Sequence, residues 1–394
     1  MKYAASALIE DVHYPPISEV RQWATEYQRS HEQPLIDLCQ AVPDYPPATE
    51  LTDYMASIVA DPATSRYTPD EGLPHVREAL AARYMRIYGA ELSPDNICLT
   101  AGASQAFWLA MMSLCQAGDE VILQTPYYFD HDMGLAMMGI NRVYAPFNPS
   151  DNGLPSIEAI SGLITPRTKA ILLVTPSNPT GAVTPPKLLA ELYSLAASHG
   201  IALVLDETYS DFIISDAAPH QLLTDPEWGD HLIQIMSFGK TYSLTGYRAG
   251  LLLASGKLIH HALKAQDTMV VCQPRITQMA LAFAAENLDS WVTSNALMMA
   301  RRHERFQQEF AKPGNPFELV SSGSFFGWVR HPFKGVSGRQ AAKRLTDEAG
   351  LLTLPGEVFG PGFECYLRLA LGNIFEDKIP EAVARLRTFS KETA

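Results

Sequence analysis

Lys240 is set apart by its neighbours. In Ser237-Phe-Gly-Lys240-Thr-Tyr-Ser-Leu-Thr-Gly246-Tyr-Arg248-Ala-Gly250 it lies among small and hydroxylated residues, directly after the apolar run 232–236, which reads as a strand. A lysine on a loop is ordinarily a solvated charge. Here the flanking glycines let backbone come close to a ligand, and Ser237 and Arg248 both suit an anion. A desolvated amine beside another cation loses basicity, which is what a carbonyl-attacking nucleophile needs. Lys240 is therefore read as the covalent anchor of an aldehyde cofactor that also carries a phosphate.

Four further clusters have residue types suited to chemistry. In Thr100-Ala-Gly102-Ala103-Ser104-Gln105-Ala106 a strand end runs into an amphipathic helix, whose free N–H groups and positive dipole end bind phosphate. The same stretch nearly matches the Gly-x-Ser-x-Gly elbow of hydrolases, a rival reading that needs an acid and then a histidine at later strand ends; a purely structural turn is a third. Asn178 in Pro176-Ser-Asn178-Pro179-Thr180-Gly181 follows the apolar run 169–175, where Asn-Pro is also an ordinary turn initiator. Asp206 in Asp206-Glu207-Thr208-Tyr209 ends the buried run 201–205, and a carboxylate there must be paired or lose its charge. Arg368, in the alternating strand Tyr366-Leu-Arg368-Leu-Ala-Leu, needs an anionic partner, either an internal carboxylate or that of a substrate. Asn178, Asp206 and the Ser237 to Lys240 segment each follow a separate predicted parallel strand, so all three should project from one sheet edge, where one ligand accounts for them together.

These motifs jointly resemble the class I/II pyridoxal-phosphate aminotransferases of fold type I, and the resemblance covers most of the chain. It implies that Lys240 anchors pyridoxal 5'-phosphate and that Gly102, Ala103, Ser104, Ser237 and Arg248 hold its phosphate. It further implies that Tyr128 stacks on the ring, Asn178 and Tyr209 bond the phenolic oxygen, and Asp206 keeps the pyridine nitrogen protonated. Tyr67, in Arg66-Tyr67-Thr-Pro-Asp-Glu-Gly72, matches a tyrosine that reaches the phosphate of the neighbouring subunit, so a homodimer with shared active sites is expected. Arg368 matches the clamp on the substrate α-carboxylate. At Ala41 relatives usually have glycine; its backbone N–H survives for substrate contact, and the pocket narrows slightly. Aspartate-specific relatives in some cases carry a lysine where this chain has Ser104, so neutral or aromatic amino acids are the expected donors, with Tyr14, Tyr128 and Phe325 as apolar walls.

The elements that must position these residues follow from the pattern. From residue 96 to 255 short β-rich runs (97–100, 120–124, 169–175, 201–205, 232–236, 249–254) alternate with helical segments, the signature of a mostly parallel sheet covered on both faces. Beyond about residue 285 the texture changes to a long helix followed by short strands. The expected organisation is α/β: an N-terminal arm (1–47), a large cofactor-binding domain (48–285) and a smaller α+β domain (286–394) on which the arm packs.

With 394 residues the chain exceeds one ordinary core, and 47% apolar with 19% charged residues describes a globular protein. A net charge of -13 argues against nucleic-acid or anionic-membrane partners. The five cysteines are too scattered for a metal site or a disulfide framework. No apolar run reaches membrane-spanning length and no signal-peptide pattern opens the chain, so a cytoplasmic location is expected. The expected activity is ping-pong exchange of an amino group between an L-amino acid and a 2-oxo acid. The alternatives are a C–S β-lyase on the same scaffold and a non-catalytic cofactor-binding effector domain.

Overall fold

A computed structural model of the chain describes residues 3–392; Met1, Lys2, Thr393 and Ala394, outermost in the expected arm and C-terminal domain, lie outside the described residues. The N-terminal stretch forms the helix Pro16–Ser30 and a two-residue strand, β1 (Ile36–Asp37). Next come β2 (Ile97–Ala101), β3 (Glu120–Gln124), β4 (Asn141–Ala145), β5 (Thr168–Val174), β6 (Ala202–Asp206), β7 (Leu232–Ser237) and β8 (Ala249–Leu253). These seven form one sheet in the order β2-β8-β7-β6-β5-β3-β4. All pairs are parallel except those of β8, which runs against both β2 and β7.

Period-two alternation explains the two covered faces. On β6, Ala202 and Val204 pack with Phe107, Leu109 and Leu135 from the helices Ala103–Leu114 and Phe129–Met137. Leu203 and Leu205 point the other way, into a core shared with Leu80, Leu189 and Leu281 from the helices Pro74–Tyr88, Pro186–Ser198 and Arg275–Asn287. Each of the six β-rich runs read from the sequence becomes a strand. β4 is an addition: an edge strand whose first two residues, Asn141 and Arg142, are exposed, so it lacks the apolar run that marks its neighbours.

The C-terminal part holds β9 (Glu318–Gly323), β10 (Phe326–Arg330), β11 (Leu351–Leu352), β12 (Leu354–Pro355) and β13 (Tyr366–Ala370). Four of them make an antiparallel sheet, β12-β13-β10-β9, while β11 pairs in parallel with β1. Val20, Trp23, Ile36 and Leu38 of the N-terminal stretch share one apolar cluster with Trp328, Leu345 and Leu369. The Leu38 carbonyl also accepts from the Ala370 N–H at 2.7 Å. The helix Asp289–Phe310 joins the regions: Val292 belongs to the large-sheet core, and Ala296, Met299 and Phe306 to the small-sheet cluster.

Candidate active site

The sheet topology delivers its functional segments to one place. β2, β3, β5, β6 and β7 share a direction, so the turns after them leave from the same edge; β8 runs the opposite way, so Arg248, just before it, starts there too. Between these turns lies a cavity of about 160 Å³. That is the size of space that holds a single six-membered aromatic ring, since an engineered cavity of about 150 Å³ binds benzene.

One end of the cavity suits an anion. Ala103 and Ser104 open the helix that follows β2, and no side chain caps its N-terminus among the described residues. Gly102 has φ +81°, and a Cβ there would stand 2.7 Å from Arg248 Nη2. A Cβ on Gly250 would stand 2.5 Å from the Gly102 Cα, so β8 and the turn pack at a distance only glycine allows. Arg248 is itself left-handed, at φ +56°, and its guanidinium donates to the carbonyls of Ala101 (2.9 Å) and Thr245 (3.1 Å). Ser237 caps the one-turn helix Phe238–Thr241, accepting from the Gly239 N–H at 3.3 Å. Lys240 sits on that turn, and its pKa is lowered to about 8, first by burial and then by the charges of Arg248 and Arg368. About a tenth of its amine is thus unprotonated at pH 7, and half at about pH 8.

The middle of the cavity is built around Asp206. Its Oδ1 accepts from the Thr208 N–H (3.1 Å) and hydroxyl (2.6 Å), and its Oδ2 lies 3.3 Å from His131 Nε2. His131 is 2% exposed, and its Nδ1 has no partner among the described residues. The Tyr128 ring stands edge-on to His131 at 5.2 Å, and its hydroxyl donates to Asp130. Burial, then the Asp130 charge, pushes the Tyr128 phenol well up, so it stays neutral. Tyr209 is also buried against Phe325 and Phe326, its phenol raised chiefly by burial.

At the third side stands Arg368, on β13 between the rings of Phe326 (5.0 Å) and Phe359 (5.2 Å). Its Nη1 donates to Asn178 Oδ1 at 2.9 Å and its Nη2 to the Cys39 carbonyl. It is 2% exposed, yet no carboxylate pairs with it among the described residues, and its Nε is unpartnered. Burial accordingly lowers its pKa. A buried guanidinium left without a counter-ion is costly, and an incoming carboxylate supplies one.

The residues fit a phosphorylated pyridine aldehyde: Arg248 and a helix N-terminus at one end, a buried amine beside it, and a buried carboxylate opposite. Ala103, Ser104, Tyr128, Asn178, Asp206, Tyr209, Ser237, Lys240 and Arg248 line the cavity together; Gly102 borders it through Arg248 and Arg368 through Asn178. Ala41 is buried two residues beyond Cys39, whose carbonyl Arg368 holds, and is not among the lining residues. Tyr67 is 79% exposed and does not line the cavity of its own chain. Neither Phe325 nor Tyr14 lines the cavity of its own chain. Phe325 is fully buried behind Tyr209 and against Gly372, and Tyr14 is 70% exposed. The elbow reading of Ser104 fails as well, since no histidine bonds its hydroxyl among the described residues. His131 and Thr208 were missed. His131 lies three residues after Tyr128 where a helix begins, which places both on one face, and that spacing was available.

A sequence model of the family "Aminotransferase class I and II" matches residues 33–386. The aromatic aminotransferase ISS1 of Arabidopsis thaliana is 29% identical over 359 residues, 89% of each chain. An aspartate aminotransferase of Pyrococcus abyssi is 26% identical, covering 91% of this chain and 92% of its own. Among solved structures, a single mutant of Thermus thermophilus aspartate aminotransferase superposes with a TM-score of 0.90 at 26% identity, over 98% of this chain and 100% of its own. Sheet order, the cavity at its carboxyl edge and a match over nearly the whole chain agree, and the chain belongs to the class I and II aminotransferases, enzymes of fold type I that depend on pyridoxal phosphate.

Proposed function

We propose that the protein exchanges an amino group between a neutral or aromatic L-amino acid and a 2-oxo acid, in two half-reactions on one site. The observation that carries the preference is the charge inventory of the cavity. Its lining contains two cations, Lys240 and Arg248, and Arg368 adjoins it. Lys240 serves chemistry, Arg248 the phosphate and Arg368 the α-carboxylate, which leaves no further lysine or arginine among the described residues lining the cavity for a side-chain carboxylate. Burying that second charge unpaired costs several kcal/mol. Relatives named for aromatic amino acids and for aspartate match at nearly equal identity, so charge rather than likeness carries the preference.

Bound in the cavity, pyridoxal phosphate supplies an aldehyde that condenses with amines and a ring that draws electrons from the attached carbon. Arg248, Ser237 and the N–H groups at Ala103 and Ser104 would hold the phosphate. Asp206, hydrogen-bonded by Thr208 and oriented by His131, would face the ring nitrogen and favour its protonated form. Tyr128 would cover the ring and exclude water, while Asn178 and Tyr209 would bond the phenolic oxygen. Arg368 fixes the substrate carboxylate, with Asn178 linking the two. Lys240, mostly unprotonated above about pH 8, would take up and return the proton at the substrate Cα. Tyr67 completes the phosphate site of the partner in a homodimer, and the arm, large domain and small domain divide at about residues 47 and 285.

Steady-state kcat/KM across phenylalanine, methionine, alanine and aspartate tests the preference. Phenylalanine or methionine should lead. An aspartate value ten or more times the others, about 1.4 kcal/mol, sinks it and implies a cation from the partner subunit.

A further inference from the structure

A second polar cluster stands directly behind the lysine turn, and nothing in the reaction above uses it. Arg83, on the helix Pro74–Tyr88, is 3% exposed. Its Nη2 donates to Asp211 Oδ1 at 2.6 Å. The other oxygen of Asp211 accepts from the Thr241 hydroxyl at 2.7 Å. Thr241 is the residue after Lys240 and the last of the one-turn helix Phe238–Thr241. The Arg83 guanidinium also lies 5.6 Å from the ring of Phe238 and 5.9 Å from that of Tyr242, the residues at either end of the same turn. Asp211 stands two residues after Tyr209, in the short turn Ser210–Phe212.

A four-residue helix has almost no stability of its own, because nucleation costs more than its single turn returns. The orientation of Lys240 must therefore come from tertiary contacts, and the described ones grip the turn on both sides of the lysine. We propose that Arg83, Asp211 and Thr241 form a brace that aims the Lys240 amine, with Asp211 tying the Lys240 turn to the Tyr209 turn so that the two keep a common register. These are positioning residues that act through Lys240, and the inference rests on the role proposed for Lys240 above. Small misplacements of a reacting group cost large factors in rate, so loss of one tie should be visible.

The link most cleanly removed is the Thr241 hydroxyl, since Thr241→Val keeps the shape and leaves the Arg83–Asp211 pair intact. Two rates are measured: capture of pyridoxal 5'-phosphate by the apoprotein, followed by absorbance, and the half-reaction with a saturating amino donor. Both should fall about tenfold in Thr241→Val and return to within about twofold in Thr241→Ser, with the donor KM and the melting temperature almost unchanged. Unchanged rates in Thr241→Val overturn the brace, and so does a loss that Thr241→Ser fails to restore. The double variant Arg83→Met/Asp211→Leu removes the charge pair together, so neither partner is left buried alone. It should show the same slow capture, and wild-type capture in a folded double variant also overturns the proposal. Borohydride labelling of the wild type is the control for the underlying role: a label on another lysine would remove the role of Lys240 itself, independently of how Thr241 behaves.

Discussion

Two of the buried arginines, Arg302 and Arg368, differ in one respect. Arg302 donates to both oxygens of Asp44 at 2.9 Å and to the carbonyls of Leu371 and Gly372. Arg368 has an amide oxygen, a carbonyl and two aromatic faces, but no carboxylate. Both are 2% exposed. An arginine that serves the fold brings its counter-ion with it, whereas one that serves recognition leaves that place for the ligand. Removal of each should therefore have opposite consequences.

The largest expected effect is on recognition. Arg368→Leu should lower kcat/KM by about 10²–10⁴-fold, equivalent to ~3–5 kcal/mol, without lowering the melting temperature, because it deletes an uncompensated charge. Arg302→Met should do the reverse: urea unfolding should show a loss of about 3–5 kcal/mol, since Asp44 is left buried and unpaired, while kcat/KM changes less than tenfold. If Arg368→Leu proves the less stable variant and Arg302→Met the less active one, the distinction is broken.

A smaller effect sharpens the picture through Lys240. The unfolded chain holds this proton up to about pH 10.5 and the folded apoprotein only to about pH 8. Between those values the unfolded state carries more protons, so raising the pH favours the folded state, and lowering it through about 8 restores the full cost of burying the cation. Wild-type apoprotein should thus gain stability relative to Lys240→Met between pH 8 and 10.5, in paired thermal melts. A flat difference would mean that the amine is solvated. Arg368→Leu removes one of the charges that lower this pKa, so the midpoint for capture of pyridoxal phosphate should move upward from about 8. A downward or absent shift would separate the two groups.

The apolar runs of β5, β6 and β7 were legible because these strands are buried on both faces, and the residues that end them inherited their position from the sheet. Parallel strands also share a direction, so Asn178, Asp206 and Lys240 could be placed at one edge before any contact was known. Less legible were features that depend on what packs across from them. β4 is a polar edge strand. Phe325 has the character of a pocket wall, yet a glycine at 372 lets its ring settle behind Tyr209. The role of His131 depends on a helix start that turns it toward Asp206, and the Arg83 brace joins residues 128 positions apart at one tie and 30 at the other. Period and composition carry no information about such pairings.

The reversal of β8 has a consequence for how the protein tolerates change in length. Because that strand returns against β7, the amine and the guanidinium flank one short connection, and seven intervening residues set the span between them. The Thr245 carbonyl already holds the Arg248 side chain at 3.1 Å, so the connection has little slack. It acts as a caliper between the two ends of the cavity: residues inserted between Ser243 and Tyr247 would open its jaws, whereas the same insertion at the exposed edge beyond β4 would leave them set.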